Sequence, residues 1–229
     1  MQLTPAETAA ILLSLKVATT AVLCSLPFGI ALGWLLARKR FPGKLMLDTV
    51  LVLPLVLPPV VTGFVLLMAF GARGPIGMFL RDTFGIVFAF RWTGAALASA
   101  IMGFPLMVRA IRVAIETVDA RLEQAASTLG APPWRVFLTV TVPLAWPGII
   151  AGAVLAFAKA LGEFGATITF VSSIPGETQT LSSAIYGLMQ VPGGESSVWR
   201  LCAVAVAISF AAVFCSEWLV QRQRRGAME

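Results

Sequence analysis

Five stretches of this chain are apolar for long enough to cross a lipid bilayer, and that length leaves few folds open. They fall at about residues 9–37, 45–70, 86–111, 143–168 and 198–220. A helix needs roughly 20 apolar residues to traverse the hydrocarbon core. Within lipid the backbone must satisfy its own polar groups, and a helix does so. The sequence therefore predicts an all-α membrane protein with about five transmembrane helices. Of the 229 residues, 58% are hydrophobic and only 12% are charged, about half the charged share of a soluble domain.

Prolines and glycines interrupt the runs. The first is longer than a crossing requires, so tilt or protrusion is expected, with a kink at Pro27. The second holds Pro54, Pro58 and Pro59, and the third holds Gly94, Gly103 and Pro105. The N-terminal ten residues lack the positive region of a removable signal.

The charges give an orientation. A basic balance of 17 Lys+Arg against 11 Asp+Glu is compatible with nucleic acid, but these charges sit between apolar runs. Arg38, Lys39, Arg40 and Lys44 follow the first run. Arg109, Arg112, Arg121 and Arg135 surround the segment between the third and fourth, and Arg222, Arg224 and Arg225 follow the fifth. Placing these groups inside leaves only Arg73, Arg81, Arg91 and Arg200 outside. The positive-inside rule then sets the N-terminus outside and the C-terminus in the cytoplasm.

Histidine is absent, which removes the commonest metal ligand and general base. Cys24, Cys202 and Cys215 lie within apolar runs and form no ligand-spaced cluster. They read as small buried hydrophobes, and no metal site is expected. No G-x-x-x-x-G-K-[ST] run occurs, so the chain has no phosphate-cradling loop of its own.

The chain reads as one transmembrane domain, residues 1–229, with two notable connections. Residues 169–197 form an external loop whose mildly apolar part, 181–189, reads as a short helix at a pore mouth or on the surface. Residues 112–142 form a cytoplasmic loop. Within it Leu122, Ala125, Ala126 and Leu129 recur at i, i+3, i+4 and i+7, one apolar face of a short helix. Gly130 stands where a helix end wants positive φ. Pro132 and Pro133 favour a new helix start, and Trp134, Phe137 and Leu138 give that second short helix its own apolar face. Pro143 then opens the fourth span. A projecting apolar elbow of this kind implies a partner protein or a resting place on the lipid surface.

This loop resembles the EAA loop of permease subunits of binding-protein-dependent ABC importers. Gln124-Ala125-Ala126 stands in the Glu-Ala-Ala position, Gly130 follows after three residues, and Val140-Thr141-Val142-Pro143 takes the place of the Ile-x-Leu-Pro ending. Gln124 replaces the family's glutamate and Glu123 precedes it, so either could make the expected polar contact. Arg40-Phe-Pro-Gly-Lys44, Leu53-Pro-Leu-Val-Leu-Pro-Pro-Val-Val-Thr-Gly63, Leu161-Gly-Glu-Phe-Gly-Ala-Thr-Ile-Thr-Phe170 and Ile174-Pro-Gly-Glu-Thr-Gln-Thr180 are similar to the molybdate permeases of that family. Sulfate permeases look related but diverge in the last stretch.

The resemblance implies a type I ABC importer permease in the bacterial cytoplasmic (inner) membrane, itself not an enzyme. It implies a second copy of the chain, two ABC ATPase subunits that carry ATP and magnesium, and a periplasmic oxyanion-binding protein. Coupling to the ATPase falls to Leu122, Glu123, Gln124, Ala125, Ala126, Leu129, Gly130 and Pro143. No cofactor is expected in this chain, nor any nucleic-acid partner.

An oxyanion path needs donors and small side chains, held weakly enough to release the ion. Pro54, Pro58, Pro59, Thr62, Gly63, Gly162, Glu163, Gly165, Thr167 and Thr169 are the candidates for pore or gate. Their alternative role is close helix packing through small residues. Lys159 and Glu163 stand four apart on one helix face, able to pair, face a cavity or mark the outer gate. An ion-coupled secondary transporter is the competing class. It normally shows internal repeats and several buried carboxylates, whereas here only Glu163 qualifies.

Overall fold

A computed structural model describes residues 3–226, with the side chains of residues 216, 219, 220 and 222–226 outside the description. Arg222, Arg224 and Arg225, assigned to the inner side above, are among these. The described residues contain helices and no strands.

Helix α1 (Pro5–Arg38) begins with a reciprocal cap. The Thr4 hydroxyl accepts from the Glu7 N–H, and the Glu7 carboxylate accepts from the Thr4 N–H at 2.7 Å. The helix continues through Pro27 without a break. It packs along α5 (Trp92–Thr117), which packs along α8 (Val142–Leu161). Glycines set these distances. An added Cβ would lie 2.7 Å from Met107 Sδ at Gly29 and 2.8 Å from Ile111 Cγ2 at Gly33. At Gly148 it would lie 2.1 Å from Ala114 Cβ. Such small-residue contacts replace the hydrophobic effect as the glue between helices in lipid. Gly148→Val should therefore destabilise the chain by about 1–3 kcal/mol, and an unchanged melting temperature in detergent would contradict this packing.

The second apolar stretch is not the single span expected over 45–70. It forms α2 (Lys44–Val56) and α3 (Pro59–Phe70), which meet at 111°. Leu57 and Pro58 between them are extended, with ψ of 145° and 132°. A residue before proline avoids the helical region, and neither Pro58 nor Pro59 can donate to the preceding turn. The short helix α4 (Pro75–Phe84), absent from the sequence reading, follows.

The third span starts at Trp92, not 86, and ends at Thr117, not 111. Gly85 and Phe90 both take positive φ, 67° and 57°, so the apolar residues between them are not helical. The fourth span, expected over 143–168, begins at Pro133. A short α7 (Pro133–Val136) passes through a π-helical segment (Phe137–Thr141) into α8 without interruption. In that segment the Val142 N–H bonds to the Phe137 carbonyl, five residues back. Proline lacks the N–H for an ordinary i−4 bond and crowds the carbonyl it would face. The wider π turn carries the helix past Pro143. At the other end the helix stops at Leu161, and α9 (Gly165–Val171) is a separate piece.

Helix α10 (Leu181–Met189) forms where the sequence placed it. It is not a free surface helix: Leu181, Ser183 and Ala184 are buried, and Ser14 of α1 accepts from the Leu181 N–H at 2.6 Å. Its Ser182 hydroxyl donates to the Leu161 carbonyl at 3.2 Å, closing the end of α8. The last helix, α11 (Glu195–Gly226), lies on α8 and α10 and leaves Trp199, Val206, Phe210 and Phe214 exposed. Among the described residues four helices are long and apolar enough to cross a membrane, or five spans if the bent α2–α3 pair counts as one.

Candidate functional site

The elbow at one end of the bundle forms largely as the sequence implies. Helix α5 ends at Thr117, and the Asp119 carboxylate caps α6 (Ala120–Thr128) by accepting from the Arg121 N–H at 2.9 Å. Gly130 takes φ of 85°, Pro132 is extended, and Pro133 opens the next helix. The second limb of the elbow is thus the first turn of the fourth span, not an independent short helix.

The apolar face points away from the chain. Leu122 is 49% exposed, Leu129 89%, Trp134 61% and Leu138 54%. Ala125 is also exposed, whereas Ala126 is half-buried and turns toward the body. Pro143 lies exposed at the base of α8. Beside the elbow runs a groove of about 560 Å³ lined by Trp34, Gln124, Ser127, Thr128, Pro133 and Phe137 among others. Trp34 and Phe137 close its floor edge to face, with centroids 5.7 Å apart.

The two candidate polar residues separate. Glu123 turns inward, accepting from Arg38 Nε at 3.2 Å, Arg38 Nη2 at 3.1 Å and the Thr141 hydroxyl at 2.7 Å. Gln124 is exposed. Arg38 and Thr141 were not foreseen as part of this site. Arg38 counted only as an inner-side charge and Thr141 only as a motif position, and their partner is distant in sequence.

The pore candidates gather at the two interruptions. An added Cβ on Gly63 would lie 2.5 Å from the Ala166 carbonyl, and one on Gly165 would lie 2.7 Å from Pro59 Cβ. The first turns of α3 and α9 thus touch, which brings Pro58, Pro59, Thr62, Gly63 and Gly165 together. Gly63 and Gly165 serve close packing. Thr167 is buried and donates to the Phe164 carbonyl at 2.9 Å, and Thr169 donates to the Gly165 carbonyl at 2.8 Å. The Thr62 hydroxyl is buried and has no hydrogen-bond partner. Because Pro58 and Pro59 carry no N–H, the Pro54 and Leu55 carbonyls lose their ordinary helical donors. Such backbone is tolerated in a membrane only inside protein or beside water.

Gly162 ends α8, and Glu163 lies just past it rather than on the helix. Its side chain is 1% exposed and receives Lys159 Nζ at 2.5 Å. The other carboxylate oxygen accepts from the Ala166 N–H at 3.0 Å, at the start of α9. Phe164 stacks obliquely on Tyr186 of α10, with centroids 4.8 Å apart. Lys16 lies over the Trp92 ring at 3.7 Å.

Comparison with known proteins agrees with this architecture. Residues 29–225 match the family described as the binding-protein-dependent transport system inner membrane component. The molybdenum transport system permease protein ModB of Escherichia coli (strain K12) is 63% identical over 228 residues, covering 99% of this chain and all of that one. The Haemophilus influenzae protein of the same name is 55% identical and covers 96% of each chain. Among solved structures, an inward-facing MetNI methionine ABC transporter aligns with a TM-score of 0.71. At 15% identity it covers 93% of this chain and 94% of that one, and so speaks to fold alone. This chain belongs to the family of inner membrane components of binding-protein-dependent transport systems.

Proposed function

We propose that the chain is the pore-forming subunit of an ATP-driven importer for molybdate. The observation that carries this reading is the identity of 63%, end to end, with a molybdenum transport permease. The exposed elbow supports the partner: among the described residues its leucines and Trp134 stay about half exposed or more. The elbow faces the cytoplasm, where the lysine and arginine bias puts it, and an ABC ATPase grips it. ATP and magnesium reside in that ATPase.

Two copies of the chain enclose the pathway, and a periplasmic binding protein delivers the ion; the family's description, an inner membrane component of binding-protein-dependent transport, supports the second of these. Transport proceeds by alternating access, which requires that each nucleotide state of the ATPase favour a different arrangement of the pore. The interruption around Pro58 supplies carbonyls without helical donors and the Thr62 hydroxyl without a partner near the pathway.

The test is uptake of radiolabelled molybdate by the complex in proteoliposomes, with the proton gradient collapsed. Uptake should need ATP and should be competed by tungstate far better than by sulfate. Equal competition by sulfate would reassign the substrate, and uptake without ATP would overturn the importer.

A further inference from the structure

We propose that Glu123 is not a contact to the ATPase but the joint that passes motion of α6 into α1 and α8. The proposal rests on the importer reading above. It begins with a deficit: no residue of α6 is buried. A helix whose most sheltered residues, Glu123 and Ala126, are only half-buried transmits little force to its own subunit by packing. Beyond the chain at its two ends and the light contact of Ala126, a polar junction holds it.

That junction centres on one carboxylate oxygen. Glu123 Oε1 accepts from two nitrogens of Arg38 and from the Thr141 hydroxyl, while Arg38 Nη2 also donates to the Val118 carbonyl at 2.8 Å. Four pieces meet there: the last residue of α1, the turn before α6, α6 itself and the last residue of the π segment. The Arg38 and Glu123 side chains are each 18% exposed, so the pair is largely sheltered. Charge-assisted bonds of this kind are stronger than neutral ones.

Each attachment suits transmission. Helix α1 is unbroken for 34 residues, a rod of about 51 Å at 1.5 Å per residue. Its far end is tied to α11 by Glu7 and Arg200 at 2.7 Å, and Ser14 holds α10. The other attachment, Thr141, ends the one π-helical stretch among the described residues. There the helical register is already altered, and such stretches recur at functional positions. Displacement of α6 therefore reaches the far end along α1 and bends the fourth span where it gives most easily.

The experiment compares wild type, Arg38→Gln, Thr141→Val and the exchange Arg38→Glu/Glu123→Arg. Each is assembled with its ATPase and binding protein in proteoliposomes, and ATP hydrolysis and ion uptake are measured in the same vesicles. Arg38→Gln should keep binding-protein-stimulated hydrolysis within about twofold while uptake falls at least tenfold. Thr141→Val should lose about threefold in ions moved per ATP. The exchange should recover a substantial part of the lost coupling. Parallel loss of hydrolysis and uptake, or full coupling in Arg38→Gln, overturns the proposal. Failure of Arg38→Gln to accumulate in the membrane assigns the junction to assembly and overturns it too. Absence of ATP-dependent uptake in wild type would instead count against the importer reading.

Discussion

Leu129→Asp should leave the protein folded in the membrane and deprive it of its ATPase. Leu129 is 89% exposed at the end of α6, so the substitution disturbs nothing in its own chain. Burial of a leucine against a partner contributes about 2 kcal/mol. Forcing a carboxylate into the same place costs roughly as much again. Together these amount to about 4 kcal/mol, on the order of a thousandfold in affinity. The measurement is co-purification of the ATPase beside a melting curve of the subunit. A normal yield of bound ATPase would remove Leu129 from the docking face. Ala126 is a poorer target, because it is half-buried and a charge there would confuse docking with folding.

Lys159→Met should damage the fold more than losing both members of its ion pair. Glu163 is almost wholly enclosed, and without Lys159 the Ala166 N–H is the one partner its carboxylate keeps among the described residues. Removing one side of a sheltered pair costs about 3 kcal/mol, the low end of the usual range because Lys159 retains some exposure. For a chain of this size that is roughly 6–12 °C in melting temperature. Lys159→Met/Glu163→Gln removes the stranded charge and should regain more than half of the loss. If the single variant melts with wild type, the pair has no structural weight.

Much of the elbow was legible because its signals are local. Gly130 takes the left-handed conformation that its place after a helix implies, and Pro133 opens a helix as proline does at N1. The apolar spacing from Leu122 to Leu129 also reads correctly, except that Ala126 turns partly inward. What stayed hidden depends on distance or on backbone detail. Hydropathy counts residues 86–90 as membrane, yet positive φ at Gly85 and Phe90 keeps them out of the helix. Pro143 looked like a helix start, and only the π turn before it shows how the helix passes through. The inward turn of Glu123 depends on Arg38, 85 residues away, and no local pattern announces it. For the pore candidates the sequence found the right neighbourhood. It could not separate Gly63 and Gly165, which are needed for contact, from Thr62, whose hydroxyl is left over.

The glycine seams between α1, α5 and α8 have a mechanical consequence. Backbones this close leave no cushion of long side chains in which one helix could slide past another. The trio should swing as a single slab. The pliant points are then the breaks at Leu57 and Gly162 and the loosened turn before Pro143, so the subunit resembles a stiff panel hung on three soft hinges.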